Sequence, residues 1–182
     1  MAYTQTHFEL FELPVSFDID LQDLSQRYRE LQSVVHPDKF ANASDRERRL
    51  SVEKAALIND AYQTLKSAQR RARYMLELHS VSFDSEKDMA LDPAFLMEQI
   101  ELREALEGIT KESDPLLSLN NIMSDIKKRI NVLLDEIKQG FSVDNLDDSA
   151  KSNLKKLVHK MQFLDKLQQE AEFQEESLLD TI

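Results

Sequence analysis

Apolar residues recur at intervals of three and four along most of the chain, broken by short polar stretches, and this rhythm predicts helices almost throughout. Thr6-His7-Phe8-Glu9 is a capping-box pattern, and the apolar Phe8, Leu10, Phe11 and Leu13 that follow stop before Pro14, which marks a short first helix. Asp18 and Asp20 supply acidic N-terminal capping for a second helix with Leu21, Leu24, Tyr28, Leu31 and Val35 as its apolar stripe. That helix must end at about His36, because Pro37 disfavours helical geometry in the residue before it and offers no amide donor. After a polar turn, Ser44-Asp45-Arg46-Glu47 opens a long third helix through Leu65. Its small and apolar positions are Leu50, Ala55, Ile58, Ala61, Tyr62 and Leu65. A basic fourth helix runs from about Ser67 to Leu78 and carries Arg70, Arg71 and Arg73. Helices two and three, joined by a short loop, are expected to pack antiparallel with the His36 corner at their tip.

The apolar rhythm lapses from His79 to Leu91, which places a domain boundary there. The expected organisation is an N-terminal domain over residues 1–79, a linker over 80–91 and a second domain over 92–182. Asp92-Pro93 is a sharp helix start, with the acid capping and the proline at the first helical position. Phe95, Leu102, Leu106 and Ile109 fall on one predicted core stripe. Leu96, Met97 and Ile100 point sideways or away from it, among Glu101, Arg103, Glu104 and Glu107. Asp114-Pro115 repeats the start signal for a helix with Leu119, Met123, Ile126, Ile130, Leu133 and Ile137, closed by Gly140. A last helix from about Asp147 to Leu178 has Leu154, Leu157, Met161 and Leu164 on one face and Phe163 nearly opposite. The fold class is therefore all-α, a helical hairpin domain followed by an antiparallel three-helix bundle.

Composition narrows the chemistry. Two glycines, no tryptophan and no cysteine leave little turn chemistry and remove disulfides, thiolate catalysis and Cys-ligated zinc. The net charge of -11 is uneven: residues 1–78 hold 11 Lys/Arg against 12 Asp/Glu, a net of -1, and the remainder 12 against 22, a net of -10. Binding to nucleic acid requires an excess of cations to displace phosphate counterions, so no nucleic-acid partner is expected. No stretch approaches membrane-spanning length and no basic region leads into an apolar run at the N-terminus, so a soluble cytosolic protein with no membrane partner is expected. A processed organellar protein would read the same. His7, His36, His79 and His159 fit no spaced metal motif, and there is no phosphate loop or nucleophile elbow. No catalytic residues, metal or cofactor are expected.

The corner itself carries chemistry. Pro37 fixes the backbone while His36 and Asp38 offer a titratable ring and a carboxylate. The short helix before Pro14, the hairpin with His36-Pro37-Asp38 at its tip, and the run Ala55-x-x-Ile58-Asn59-x-Ala61-Tyr62-x-x-Leu65 together resemble a J-domain, the module of DnaJ-type co-chaperones. The resemblance implies that the tip and the preceding helix, with Arg27, Arg29, His36, Pro37, Asp38 and Lys39, dock on an ATP-driven chaperone of the DnaK class and trigger its ATP hydrolysis. Two departures from the general pattern imply a dedicated partner. Val35 stands where many J-domains have an aromatic residue, and Glu30 interrupts the basic run of the second helix.

The second domain extends the resemblance. The block Ala94-Phe95-Leu96-Met97-Glu98-Gln99-Ile100-Glu101-Leu102-Arg103-Glu104, with Phe163-Leu164-Asp165-Lys166-Leu167, is similar to the specialised J-type co-chaperones of bacterial iron-sulfur cluster assembly. That likeness implies that the bundle holds the cluster scaffold protein IscU while the J-domain engages the dedicated chaperone HscA. By position the scaffold-binding residues would be Leu96, Met97, Ile100, Glu101, Arg103, Glu104 and Phe163. From the residues alone two arrangements stay open. The apolar members either form one exposed patch, if the first and last bundle helices are neighbours, or are covered by widening the core or packing on the J-domain.

Overall fold

A computed structural model describes residues 5–40, 43–83, 93–143 and 146–180, with the side chains of Pro37 and Asp38 outside the described set. Among the described residues the α-helices are α1 His7–Leu10, α2 Leu21–Val35, α3 Asp45–Lys66, α4 Ala68–Leu78, α5 Pro93–Glu107, α6 Pro115–Phe141 and α7 Asp148–Leu179. Two 3-10 turns, Pro37–Phe40 and Ile109–Lys111, complete the described secondary structure, which contains no strand. None of these helices is long and apolar enough to cross a membrane. The chain divides into two compact units, residues 1–78 and 79–182. The expected linker lies largely outside the described residues, as does the expected cap Asp92.

In the first unit α3 is the central element, packed on α1, α2 and α4. The bonds between α2 and α3 run Val35 to Ser51, Tyr28 to Asn59 and Ser25 to Tyr62, so sequence separation widens away from the tip and the pair is antiparallel. Phe8, Leu24, Ile58, Ala61, Leu65 and Leu76 form its buried centre. Both expected capping boxes are present: Thr6 with Glu9, and Ser44 with Glu47. Leu21 and Leu50, expected on core stripes, are exposed, whereas Leu24 and Ser51, three residues and one residue further on, are the ones turned inward. Arg71, expected on a basic helix, is 7 % exposed, donates to the Leu65 carbonyl at 2.5 Å and lies 5.0 Å over the Phe17 ring. Its aliphatic stem and planar head serve as core.

In the second unit α5 runs alongside α7 in the same direction, since Phe95 meets Phe163 and Arg103 meets Glu170. The α6 helix runs back against α7 and is tied to α5 by an ion pair between Arg129 and Glu98. Leu106, Leu119, Ile126, Ile137, Leu154, Val158, Leu164 and Leu167 fill the core. Gly140 corrects the expectation of a helix stop: α6 continues through it to Phe141, and no glycine has a positive φ. Its role is close approach, because a Cβ at this position would lie 2.6 Å from Leu154 Cδ2. Phe95 and Leu157, expected in the core, are only partly buried.

Candidate functional site

The tip of the hairpin is built by ending α2 and then bracing the end. His36 takes φ -57 and ψ 132, outside helical geometry, as the following proline demands. The Lys39 amide donates to the His36 carbonyl at 3.0 Å and closes the 3-10 turn. The Val35 carbonyl, which has lost its helical donor, accepts from the buried Ser51 hydroxyl of α3 at 2.6 Å. On the outer face, the Tyr28 hydroxyl and the Gln32 amide both donate to Asn59 Oδ1 at 2.7 Å, and Tyr28 stacks on Tyr62 with centroids 4.1 Å apart. These bonds hold a shallow hollow lined by Tyr28, Arg29, Gln32, Ser33, His36 and Lys39.

Three of the six residues expected to contact a chaperone, Arg29, His36 and Lys39, therefore share one face. Pro37 and Asp38 lie in the same turn by backbone. Arg27 does not join them. Its Nε donates to Asp23 at 2.9 Å, and its Nη1 donates to the Phe11 carbonyl at 3.1 Å and pairs with Glu12 at 3.5 Å. Glu12 has φ 51, a left-handed conformation unfavourable for a residue with a side chain, and Arg27 supports the turn that contains it. Arg27 is thus a brace of the α1 turn. Ser51 was not singled out by sequence reasoning, although a serine seven residues before Ile58 on a core stripe is a signal that a buried carbonyl needs a donor.

The second unit carries a groove between α5 and α7. Phe95 and Phe163 meet edge to face, with centroids 5.8 Å apart, and form its floor. Leu96, Gln99, Ile100 and Arg103 line it from α5, and His159, Gln162 and Lys166 from α7, enclosing about 470 Å³. Leu96 is 51 % exposed, Met97 57 % and Ile100 43 %. Successive residues turn by about 100°, which places Leu96, Ile100 and Arg103 toward the groove and Met97, Glu101 and Glu104 on the adjoining shoulder of α5. The Arg103 guanidinium bridges to Glu170 at 3.4 Å. Of the two arrangements open from sequence, the exposed one holds within this unit. Phe163 is not opposite the core face but on its flank, half-buried against Phe95.

Residues 7–74 match the DnaJ domain family, and residues 91–172 match the family described as the HSCB C-terminal oligomerisation domain. The co-chaperone protein HscB homolog of Photobacterium profundum is 43 % identical over 174 residues, 96 % of this chain and 99 % of that protein. That of Aliivibrio salmonicida is 44 % identical over 173 residues, 95 % and 98 % of the two chains. Among solved structures, chaperone HscB from Vibrio cholerae matches with a TM-score of 0.84 at 38 % identity, covering 96 % of this chain and 99 % of the other. The human co-chaperone HscB matches with a TM-score of 0.83 at 27 % identity, covering 96 % and 84 %.

Proposed function

Because the chain belongs to the HscB family of J-domain co-chaperones, we propose that it binds the iron-sulfur scaffold protein IscU, delivers it to the DnaK-like chaperone HscA and stimulates that chaperone's ATP hydrolysis. In this reading it acts in the cytoplasm, promotes maturation of iron-sulfur proteins, and uses no cofactor, membrane or nucleic acid. It performs no chemistry of its own. The observation that carries the reading is the pairing, in one chain, of a braced His36-Pro37-Asp38 tip with an uncovered apolar groove on an acidic bundle.

The two sites divide the work. At the tip, His36, Asp38, Arg29 and Lys39 are the groups that form charge-assisted hydrogen bonds with the chaperone, on a backbone that does not have to reorganise to make them. The groove and the adjoining shoulder of α5 together offer Leu96, Met97, Ile100 and Phe163 as an apolar centre and Glu101, Arg103 and Glu104 as a charged rim, the anatomy of a transient protein interface. The test is Asp38→Asn, assayed for HscA ATP turnover and, separately, for IscU affinity. Stimulation is expected to vanish while affinity and far-UV circular dichroism stay as in the parent. A variant that stimulates normally would remove the tip from the mechanism.

A further inference from the structure

The face of α7 that borders the groove continues past it. Phe163, Lys166, Glu170 and Phe173 follow one another at intervals of three, four and three, which stacks them along one side of the helix. The bridge from Arg103 to Glu170 keeps α5 alongside this face to within one turn of Phe173. Phe173 is 70 % exposed, more than any other large apolar side chain among the described residues. Exposed carboxylates surround it: Glu170 one turn before, Glu172 beside it and Glu176 one turn after. On the α5 side the exposed acids Glu104 and Glu107 continue the same pattern.

An aromatic ring set among carboxylates takes a particular kind of cover. A partner that buries Phe173 must present apolar surface and bring cations to Glu172 and Glu176, since Glu170 already has Arg103 and an apolar or acidic partner would desolvate the other two carboxylates without pairing them. We propose that the scaffold-docking face extends about 15 Å along α7, from Phe163 to Phe173, and that its far end takes an apolar patch of the scaffold flanked by lysine or arginine. The proposal rests on reading the groove as the scaffold site, and it adds to that reading a second anchor and the charge of what covers it.

The experiment titrates the full chain with purified IscU by calorimetry at low and at physiological salt. Phe173→Ala is expected to weaken binding about tenfold, the value of one well-covered aromatic side chain. Phe173→Lys should weaken it more than Phe173→Glu, and binding by the parent should fall as salt rises. Phe163→Ala is the reference. If Phe163→Ala weakens binding and Phe173→Ala does not, the extension is wrong and the groove stands. If neither changes affinity, both readings fall. Equal binding by the Lys and Glu variants overturns the cationic partner, and a change in the sedimentation of the chain alone with unchanged scaffold affinity assigns Phe173 to self-association instead.

Discussion

At the tip of the first unit and on the α2 face leading to it, polar side chains are turned back on the protein: Ser51 caps Val35, and Tyr28 and Gln32 share Asn59. In the second unit Leu96, Met97 and Ile100 stand out from a regular helix with nothing within that unit drawn over them. One surface is made precise by bonds beneath it, and the other is made adhesive by apolar area left uncovered. The difference is what the two proposed tasks would require. A trigger must hold a few charged groups in fixed geometry, whereas a carrier must take up a partner and release it.

The comparison breaks first on the bundle. Leu106 is 2 % exposed and Leu96 is 51 % exposed, although both lie on α5. Leu106→Ala is expected to cost about 2 to 5 kcal/mol of bundle stability, and Leu96→Ala less than about 1 kcal/mol while weakening scaffold binding. Urea denaturation followed by far-UV circular dichroism measures the first effect and calorimetry the second. A Leu96 variant as unstable as the Leu106 variant would make the patch core and leave the carrier surface without its centre.

The trigger side is tested beneath its surface. Ser51→Ala leaves the Val35 carbonyl without its buried donor. The expected cost is about 1 to 3 kcal/mol, with reduced stimulation of the chaperone and unchanged scaffold affinity. Ser33→Ala, which removes only an exposed bond to the Glu30 carbonyl, is the control and should stay within about 0.5 kcal/mol of the parent. All four tyrosines lie in residues 1–78 and the chain has no tryptophan, so tyrosine fluorescence reports the first unit alone. If Ser51→Ala leaves both the tyrosine transition and the ATPase response untouched, the tip does not depend on its bracing.

How much of this was legible in the sequence depends on whether a feature is local. The helices and their starts follow from caps and periodicity, and Thr6, Asp20, Ser44, Asp114 and Asp147 all accept from the amides that their positions predict. Features set by a distant neighbour were not legible. Gly140 looks like a stop, yet it is a contact point for Leu154, fourteen residues on. Arg27 looks like a partner of Arg29, and only the position of Phe11 and Glu12 shows where it goes. Leu21 and Leu50 have the spacing of core residues, yet Leu24 and Ser51 at the same levels of the two helices are the buried ones, because the facing helix decides which side of the stripe is covered. The groove was half legible: a helical wheel puts Leu96 and Ile100 off the core stripe, but the meeting of Phe95 with Phe163 depends on which helices are neighbours.

The smallest expected effect separates the units by the sign of their response to acid. His7 is stacked on Tyr74 at 4.2 Å with its Nδ1 buried and without a hydrogen-bond partner. Burial holds its pKa below the ordinary histidine value, an effect only partly offset by the charges of Asp60 and Glu77. The unfolded chain then takes up a proton more readily than the folded unit, so stability falls as pH drops below about 6.5, and the loss is complete below the lowered folded value. Asp165, in the bundle, is shifted the other way: burial raises its carboxyl above the ordinary range. Its charged form costs the bundle stability at neutral pH, and that cost is relieved as pH falls through the raised value. Acidification from neutral pH should therefore lower the urea midpoint of the tyrosine signal through His7, while Asp165 opposes the loss in the bundle. His7→Phe should flatten the first response, and Asp165→Asn should raise the bundle midpoint at neutral pH. A tyrosine transition in His7→Phe as sensitive to acid as in the parent would remove His7 as its source, and an Asp165→Asn bundle no more stable than the parent would show that the carboxylate is solvated in the folded state.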